Sequence, residues 1–208
     1  QPFYQRPFRA PHHTTSYAGL LGGGTPPVAG DLSLAHHGVI FLDELPEFRR
    51  DVLEGLREPM EAKSVAVSRS QMRVEFPADA LVIAAMNPCP CGYRGYGSNR
   101  CRCAEAAVNR YRNRLSGPLL DRLDLHLWLG ALTAQELNGP PPTNPTLAMQ
   151  ERVQSARAAQ FTRNGQIPGS VPGSGCVQLN SALDSQALRT IARPTPEALR
   201  VLEEAYGK

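Results

Sequence analysis

An α/β fold with a parallel sheet, flanking helices and a β-hairpin, followed by a small helical subdomain, is what the 208-residue sequence predicts. Three observations carry this. Val39-Ile-Phe-Leu42 and Ala80-Leu-Val-Ile-Ala-Ala-Met86 are short unbroken apolar runs, the pattern of strands buried on both faces of a parallel sheet. A stripe of Phe48, Val52, Leu53, Leu56 and Met60 lies between them at helical spacing. Alternation at Val65, Val67, Met72, Val74 and Phe76 gives a hairpin over 64–76, with a turn at Ser68–Gln71.

The elements follow in order. Residues 1–31 are rich in Gly, Pro and His, and read as loop with a weak helix or hairpin. Residues 32–37 lead into the first buried strand, 38–43. Pro46 suits a helix start, and the apolar stripe then describes one amphipathic helix to Met60. The hairpin and the second buried strand follow. Ala104–Arg114 reads as a basic helix, 118–124 as a short helix or turn, and Leu125–Leu129 as a third strand. The stretch Asn138–Pro145 holds four prolines and reads as a linker. Helices are expected over 147–161 and 196–206, with a weaker one near 181–192 and a Gly/Pro/Ser loop at 165–175. The expected domains are 1–130 for the α/β core, 131–146 for the linker and 147–208 for the helical part.

Composition narrows the function. No run reaches the roughly 18 apolar residues of a membrane span, and no secretory signal pattern is present. A cytoplasmic, reducing setting is therefore expected. The first residue is Gln1, so a fragment or processed product is expected. Net charge is only +3, but six arginines and one acid, Glu105, lie between Arg94 and Arg114. That cluster suits phosphates, of nucleic acid or of a nucleotide at a subunit boundary; the alternative is a solvated helical face.

Candidate chemistry sits at the strand ends. Asp43 and Glu44 terminate the first apolar run, where ligands bind in open α/β sheets. An Asp there can hold nucleotide-bound Mg²⁺, and the adjoining Glu can polarise an attacking water; a solvated acidic turn is the plainer reading. Asn87 ends the second run. If the strands are neighbours, its amide can orient that water beside Asp43 and Glu44; alone it is an Asn-Pro turn. Arg122 lies between Asp121 and Asp124, either as a structural ion pair or as an arginine finger reaching a neighbouring subunit's ATP. Cys89, Cys91, Cys101 and Cys103 form two C-x-C pairs with nine residues between the inner cysteines. Four such thiolates can enclose a structural Zn²⁺, the alternative being reduced free thiols. His12-His13 and His36-His37 are assigned structural or loop-contact roles. No G-x-x-x-x-G-K-[ST] phosphate cradle occurs in the sequence.

Several segments together resemble the magnesium-chelatase-like AAA+ ATPases of the ComM/YifB competence-protein type. They are Arg6-Pro-Phe-Arg-Ala-Pro-His-His-Thr14, Val39 to Phe48, Ala84-Ala-Met-Asn-Pro-Cys-Pro-Cys-Gly-Tyr93 and Arg110-Tyr-Arg-Asn-Arg-Leu-Ser-Gly-Pro-Leu-Leu-Asp-Arg-Leu-Asp-Leu-His126. The resemblance implies a partial P-loop core with an α-helical lid. It makes Asp43 and Glu44 the Walker B pair, Asn87 sensor 1 and Arg122 the arginine finger. The hairpin becomes the one preceding sensor 1, and residues 17–35 an insertion in helix 2. It implies ATP and Mg²⁺ as cofactors and a hexameric ring acting on DNA in transformation or recombination, with a helicase-type or branch-migration role. Hydrolysis would need a Walker A half that these residues do not include. Two other readings stand beside it: a magnesium-chelatase ATPase subunit for porphyrin metal insertion, which the four-cysteine segment disfavours, and a zinc-stabilised nucleic-acid-binding module without ATPase activity.

Overall fold

The structure, a computed structural model, describes residues 5–69, 72–95, 100–140, 144–165, 179–180, 183–191 and 194–207. The chain divides into two units, 1–132 and 133–208.

The first unit begins with β1 (Phe8–Arg9), α1 (Tyr17–Leu21), the short antiparallel pair β2 (Gly22–Gly23) and β3 (Val28–Ala29), and α2 (Asp31–Leu34). Then come β4 (Val39–Leu42), a 3₁₀ turn at Leu45–Glu47, α3 (Arg50–Gly55) and α4 (Arg57–Ala62). The hairpin β5 (Ser64–Arg69) and β6 (Met72–Pro77) precedes β7 (Leu81–Ala84), α5 (Glu105–Arg112) and α6 (Gly117–Leu120). The main sheet has the order β1-β4-β7 and is parallel throughout. Leu42 stands opposite Ala84, so β4 and β7 end level with each other. Gly38 enters β4 where β1 passes closest: the Val39 N–H donates to the Pro7 carbonyl at 2.8 Å, and a Cβ on Gly38 would collide with that same carbonyl.

The core lies on one face of this sheet. Ile40 and Leu42 of β4 pack with Leu20, Leu21, Leu32, Phe48, Val52, Leu53 and Leu56, and with Val65 and Val67 of the hairpin. Val82 and Ala84 join from β7, whereas Leu81 and Ile83 on its other face stay exposed. The expected burial of both strands on two faces is thus corrected. The other face of β4, at Val39 and Phe41, is half-buried, and β7 is an edge strand of the sheet among the described residues.

Three further expectations change. The third strand is Phe8–Arg9, within a stretch read as loop, and not Leu125–Leu129, which takes no place in the sheet. Leu125 and Leu127 are more than 80% exposed, at 83% and 84%. An alternating apolar run becomes a strand only where a neighbour completes its hydrogen bonds. The single helix expected to reach Met60 is two helices broken at Leu56. Pro59 has no N–H to give the Gly55 carbonyl, and its ring crowds the preceding turn. The hairpin forms with Val65 opposite Phe76 and Val67 opposite Val74; residues 70–71 of its turn lie outside the described residues.

The second unit holds α7 (Ala134–Asn138), α8 (Pro145–Asn164), α9 (Ser185–Ile191) and α10 (Pro196–Tyr206). Thr133 and Glu136 form a reciprocal capping box at the start of α7, within the expected linker. Thr195 caps α10 by accepting from the Ala198 N–H. Leu147, Met149, Val153 and Phe161 of α8 and Leu199, Val201 and Leu202 of α10 are exposed, and Ala187 is the sole buried hydrophobic among the described residues of this unit. The expected loop at 165–175 and Cys176 fall outside the described residues, apart from Gly165. No helix among the described residues is long and apolar enough to cross a membrane.

Candidate functional site

Two strand ends build the site. Asp43 follows β4 directly, and the Glu44 N–H turns back to its carboxylate, donating to Oδ1 at 2.8 Å. Glu44 itself takes a left-handed backbone conformation, φ 51 and ψ 44, uncommon for a residue with a side chain. The β4–β7 ladder continues past both strands: the Ala85 N–H donates to the Leu42 carbonyl at 3.0 Å and the Leu45 N–H to the Ala85 carbonyl at 2.9 Å. Asp43 and Glu44 therefore lie along the same edge as the residues that lead from Ala85 to Asn87. These carboxylates sit in water-accessible positions, Glu44 being half exposed.

Tyr111 of α5 lies near this edge. It is buried at 7% exposure. Burial pushes its phenol above the ordinary range, and the charges of Glu47 and Glu44 act in the same direction, against a hydrogen bond from the Asn87 backbone N–H. Around this ring, Arg114 Nη1 donates to Glu47 Oε2 at 2.8 Å, and Arg112 reaches the Pro88 carbonyl at 3.5 Å. These contacts absorb part of the basic cluster. Arg94 pairs with Glu105 at 2.5 Å, and the Arg100 guanidinium lies 5.8 Å from the Tyr93 ring centroid.

A histidine enters the same edge. His13 Nδ1 lies 3.1 Å from Glu44 Oε2. His13 follows β1, stacks on His12 at 4.1 Å and meets Phe48 edge-on at 6.5 Å. The His36-His37 pair does serve structure: His36 Nδ1 accepts from the Asp79 N–H at 3.0 Å, and the His37 N–H donates to the Asp79 carbonyl at 2.7 Å.

Arg122 stands apart. Its Nη2 meets Glu61 Oε1 of α4 at 2.5 Å, and its Nη1 donates to the Pro118 carbonyl at 2.7 Å. With Glu54, Arg57 and Glu58 these two residues line a charged cavity of about 330 Å³. The Arg122 Nε is buried without a partner. None of its contacts belongs to the Asp43–Asn87 edge, so the acids and the arginine are not brought together within one chain.

The four cysteines do converge. All four Sγ atoms lie within 4.8 Å of one another, Cys89 being 3.4 Å from Cys91 and 3.8 Å from Cys101. Burial acts to raise the Cys89 thiol, but hydrogen bonds from Cys91, the Arg94 backbone and Cys101 outweigh it and hold the group at about 6. Cys103 is pushed up to about 11, chiefly by its hydrogen bond to Cys91. A soft cation would accept all four sulfurs, and the donor set fits tetrahedral zinc without an open position. The segment adjoins the site, since a Cβ on Gly92 would lie 3.7 Å from Asn87 Oδ1.

Sequence reasoning did not find Tyr111 or the contact of His13. Tyr111 was legible only as one apolar position beside Val108 on α5, and His13 as a member of a loop pair.

A parallel sheet with acids and an amide at adjoining strand ends, beside a four-thiol cluster, defines a class, and comparison agrees. Residues 1–137 match the family described as magnesium chelatase, subunit ChlI, and the chain belongs to that family. Its relatives there are of the ComM/YifB type. It is 46% identical over 205 residues to competence protein ComM of Haemophilus influenzae, a match covering 98% of this chain and 38% of the relative. It is 40% identical over 208 residues to YifB of Escherichia coli, covering 96% and 37%. A protein of Mycobacterium tuberculosis is 40% identical over 158 residues, covering 76% and 31%. The chain therefore spans a little over a third of the first two relatives.

Proposed function

We propose that the chain is the Walker B, sensor 1 and arginine-finger portion of an AAA+ ATPase that binds Mg²⁺-ATP, assembles into a hexameric ring and acts on DNA. The observation that carries this reading is the level ending of β4 and β7, joined beyond the strands by the Ala85–Leu42 and Leu45–Ala85 hydrogen bonds. That ladder ties the turn of Asp43 and Glu44 to Ala85, two residues before Asn87, which supports a shared site.

In this reading Asp43 would hold the Mg²⁺ of the nucleotide, Glu44 would polarise the attacking water, and Asn87 would orient that water beside the terminal phosphate. The metal neutralises phosphate charge when bound. Arg122 acts on a neighbour's nucleotide, which accords with its distance from its own chain's acids and requires a ring. The role on DNA is supported by the relative named as a competence protein. Helices α8 to α10 supply the lid subdomain, and 1–130, 131–146 and 147–208 serve as core, linker and lid. Cys89, Cys91, Cys101 and Cys103 hold a structural zinc. The unpaired thiols suit a cytoplasmic setting.

Glu44→Gln in the intact parent protein tests the assignment. Binding of Mg²⁺-ATP should persist, and turnover should fall by about 10²-fold or more. Hydrolysis at the unsubstituted rate refutes the reading.

A further inference from the structure

We propose that Glu61 is a positioning residue for Arg122, an inference that rests on the arginine-finger reading above. The Arg122 guanidinium is held at two points. Nη1 donates to the Pro118 carbonyl at 2.7 Å, and Nη2 meets Glu61 Oε1 at 2.5 Å. The two anchors are not equivalent. Pro118 belongs to α6, the short helix that Arg122 directly follows, so it travels with the arginine. Glu61 belongs to α4, whose Pro59 is buried and whose Met60 packs against the core. Glu61 is therefore the anchor that ties the guanidinium to the body of the first unit.

The contact matters because an arginine side chain has several rotatable bonds, and a group serving another subunit must already be in place when the nucleotide arrives. A guanidinium carries five N–H groups. One on Nη1 and one on Nη2 are engaged by Pro118 and Glu61, and the Nε–H is buried without a partner. The second hydrogens of Nη1 and Nη2 remain as a pair for phosphate oxygens. Beside the guanidinium lies the cavity of about 330 Å³, lined also by Glu54, Arg57 and Glu58. Glu54 is engaged by Arg57 at 2.9 Å, whereas Glu58 makes no ion pair among the described residues. Without Glu61 the guanidinium has both room and an acid to turn toward, and a finger so turned is withdrawn from a neighbour. Glu61 makes no contact with nucleotide in this role; it acts through Arg122.

The experiment uses the intact parent protein. Glu61→Ala should lower kcat by about tenfold or more and leave the Mg²⁺-ATP dissociation constant within about twofold. Glu61→Gln, whose amide oxygen still accepts from Nη2, should recover most of the rate. Mixed rings then locate the defect. Glu61→Ala subunits mixed with Glu44→Gln subunits should regain activity, because the latter keep an anchored Arg122. Glu61→Ala subunits mixed with Arg122→Ala subunits should not, because neither carries one. The inference is overturned by an unchanged or raised kcat in Glu61→Ala, by a Gln variant as slow as the Ala variant, or by two mixtures that behave alike, as a merely structural defect would make them. If Arg122→Ala itself hydrolyses ATP normally, the finger reading falls and takes this one with it. If Arg122→Ala is inactive and Glu61→Ala is not, this inference falls alone.

Discussion

Substituting Cys101 and Cys103 together by Ser should release one zinc per chain and open the segment from Cys89 to Cys103. Tetrahedral zinc with sulfur at about 2.3 Å places the sulfurs about 3.8 Å apart. The present separations are 3.4 Å and 3.8 Å for two pairs, and no pair exceeds 4.8 Å. Closing on the metal therefore moves no sulfur by more than about 1 Å. Cys89 is fully buried, but Cys91 and Tyr93 are exposed, so apolar burial contributes modestly. Structural zinc binds in small domains with about 10–16 kcal/mol. Losing two of four thiolates forfeits on the order of half, which weakens binding by at least about 10³-fold. The assay is zinc per chain by mass spectrometry after gel filtration, with limited trypsin digestion at Arg94, Arg100 and Arg102. The unsubstituted protein should carry close to one zinc and resist cleavage; the double variant should carry none and be cut. Native protein purified without zinc, or zinc retained by the double variant, refutes the reasoning.

Other consequences are open to simpler tests. Arg122→Ala rings should regain ATPase activity when mixed with Glu44→Gln subunits, because each supplies what the other lacks; the absence of recovery in mixed rings argues against a finger acting in trans. Gly38→Ala should destabilise the first unit by about 3 kcal/mol, since its Cβ collides with the Pro7 carbonyl and β1 must shift away from β4; the measurement is the midpoint of thermal or urea unfolding. Glu54 is held below the ordinary carboxylate range, chiefly by its hydrogen bond from Arg57. A lowered pKa in the folded state means that the stabilisation is complete above the ordinary carboxylate pKa and is lost as pH falls through the folded value. Glu54→Gln should therefore flatten the acid side of the stability profile and leave its slope above pH 6 unchanged.

How much of this was legible in the sequence depended on local signal. Val39–Leu42 and Leu81–Ala84 announced themselves by apolar runs, and the hairpin by alternation, because each pattern is complete within its own strand. The four cysteines were legible by composition and spacing. Leu125–Leu129 shows the limit: its alternation is as clear as that of the hairpin, yet it pairs with no strand of the sheet, since pairing is a property of two segments. Pro59 was a local signal passed over, and it splits the helix. The separation of Arg122 from Asp43 and Glu44, and its ion pair with Glu61, have no trace in the sequence, because α4 and the segment after α6 meet only in three dimensions.

The edge where the proposed chemistry gathers follows from strand direction more than from any one motif. In a parallel sheet every strand points the same way, so the loops leaving β1, β4 and β7 all emerge on one side. The loop after β4 carries Asp43 and Glu44, that after β7 carries Asn87, and that after β1 carries His13. The first two were found because four-residue strands mark where a loop begins. His13 was not, because β1 has only two residues, Phe8 and Arg9, and two residues cannot display a period. Its distance of thirty-odd positions from Glu44 in the chain is irrelevant to its reach. Once β1 is paired with β4, in the register Phe8 to Val39 and Arg9 to Ile40, the histidine and the acids are carried to the same edge. The same logic explains why Arg122 is elsewhere: it follows a helix, not a strand of this sheet, and no parallel register draws it to the acids. An arginine so placed can serve the nucleotide of another subunit without competing for the carboxylates of its own.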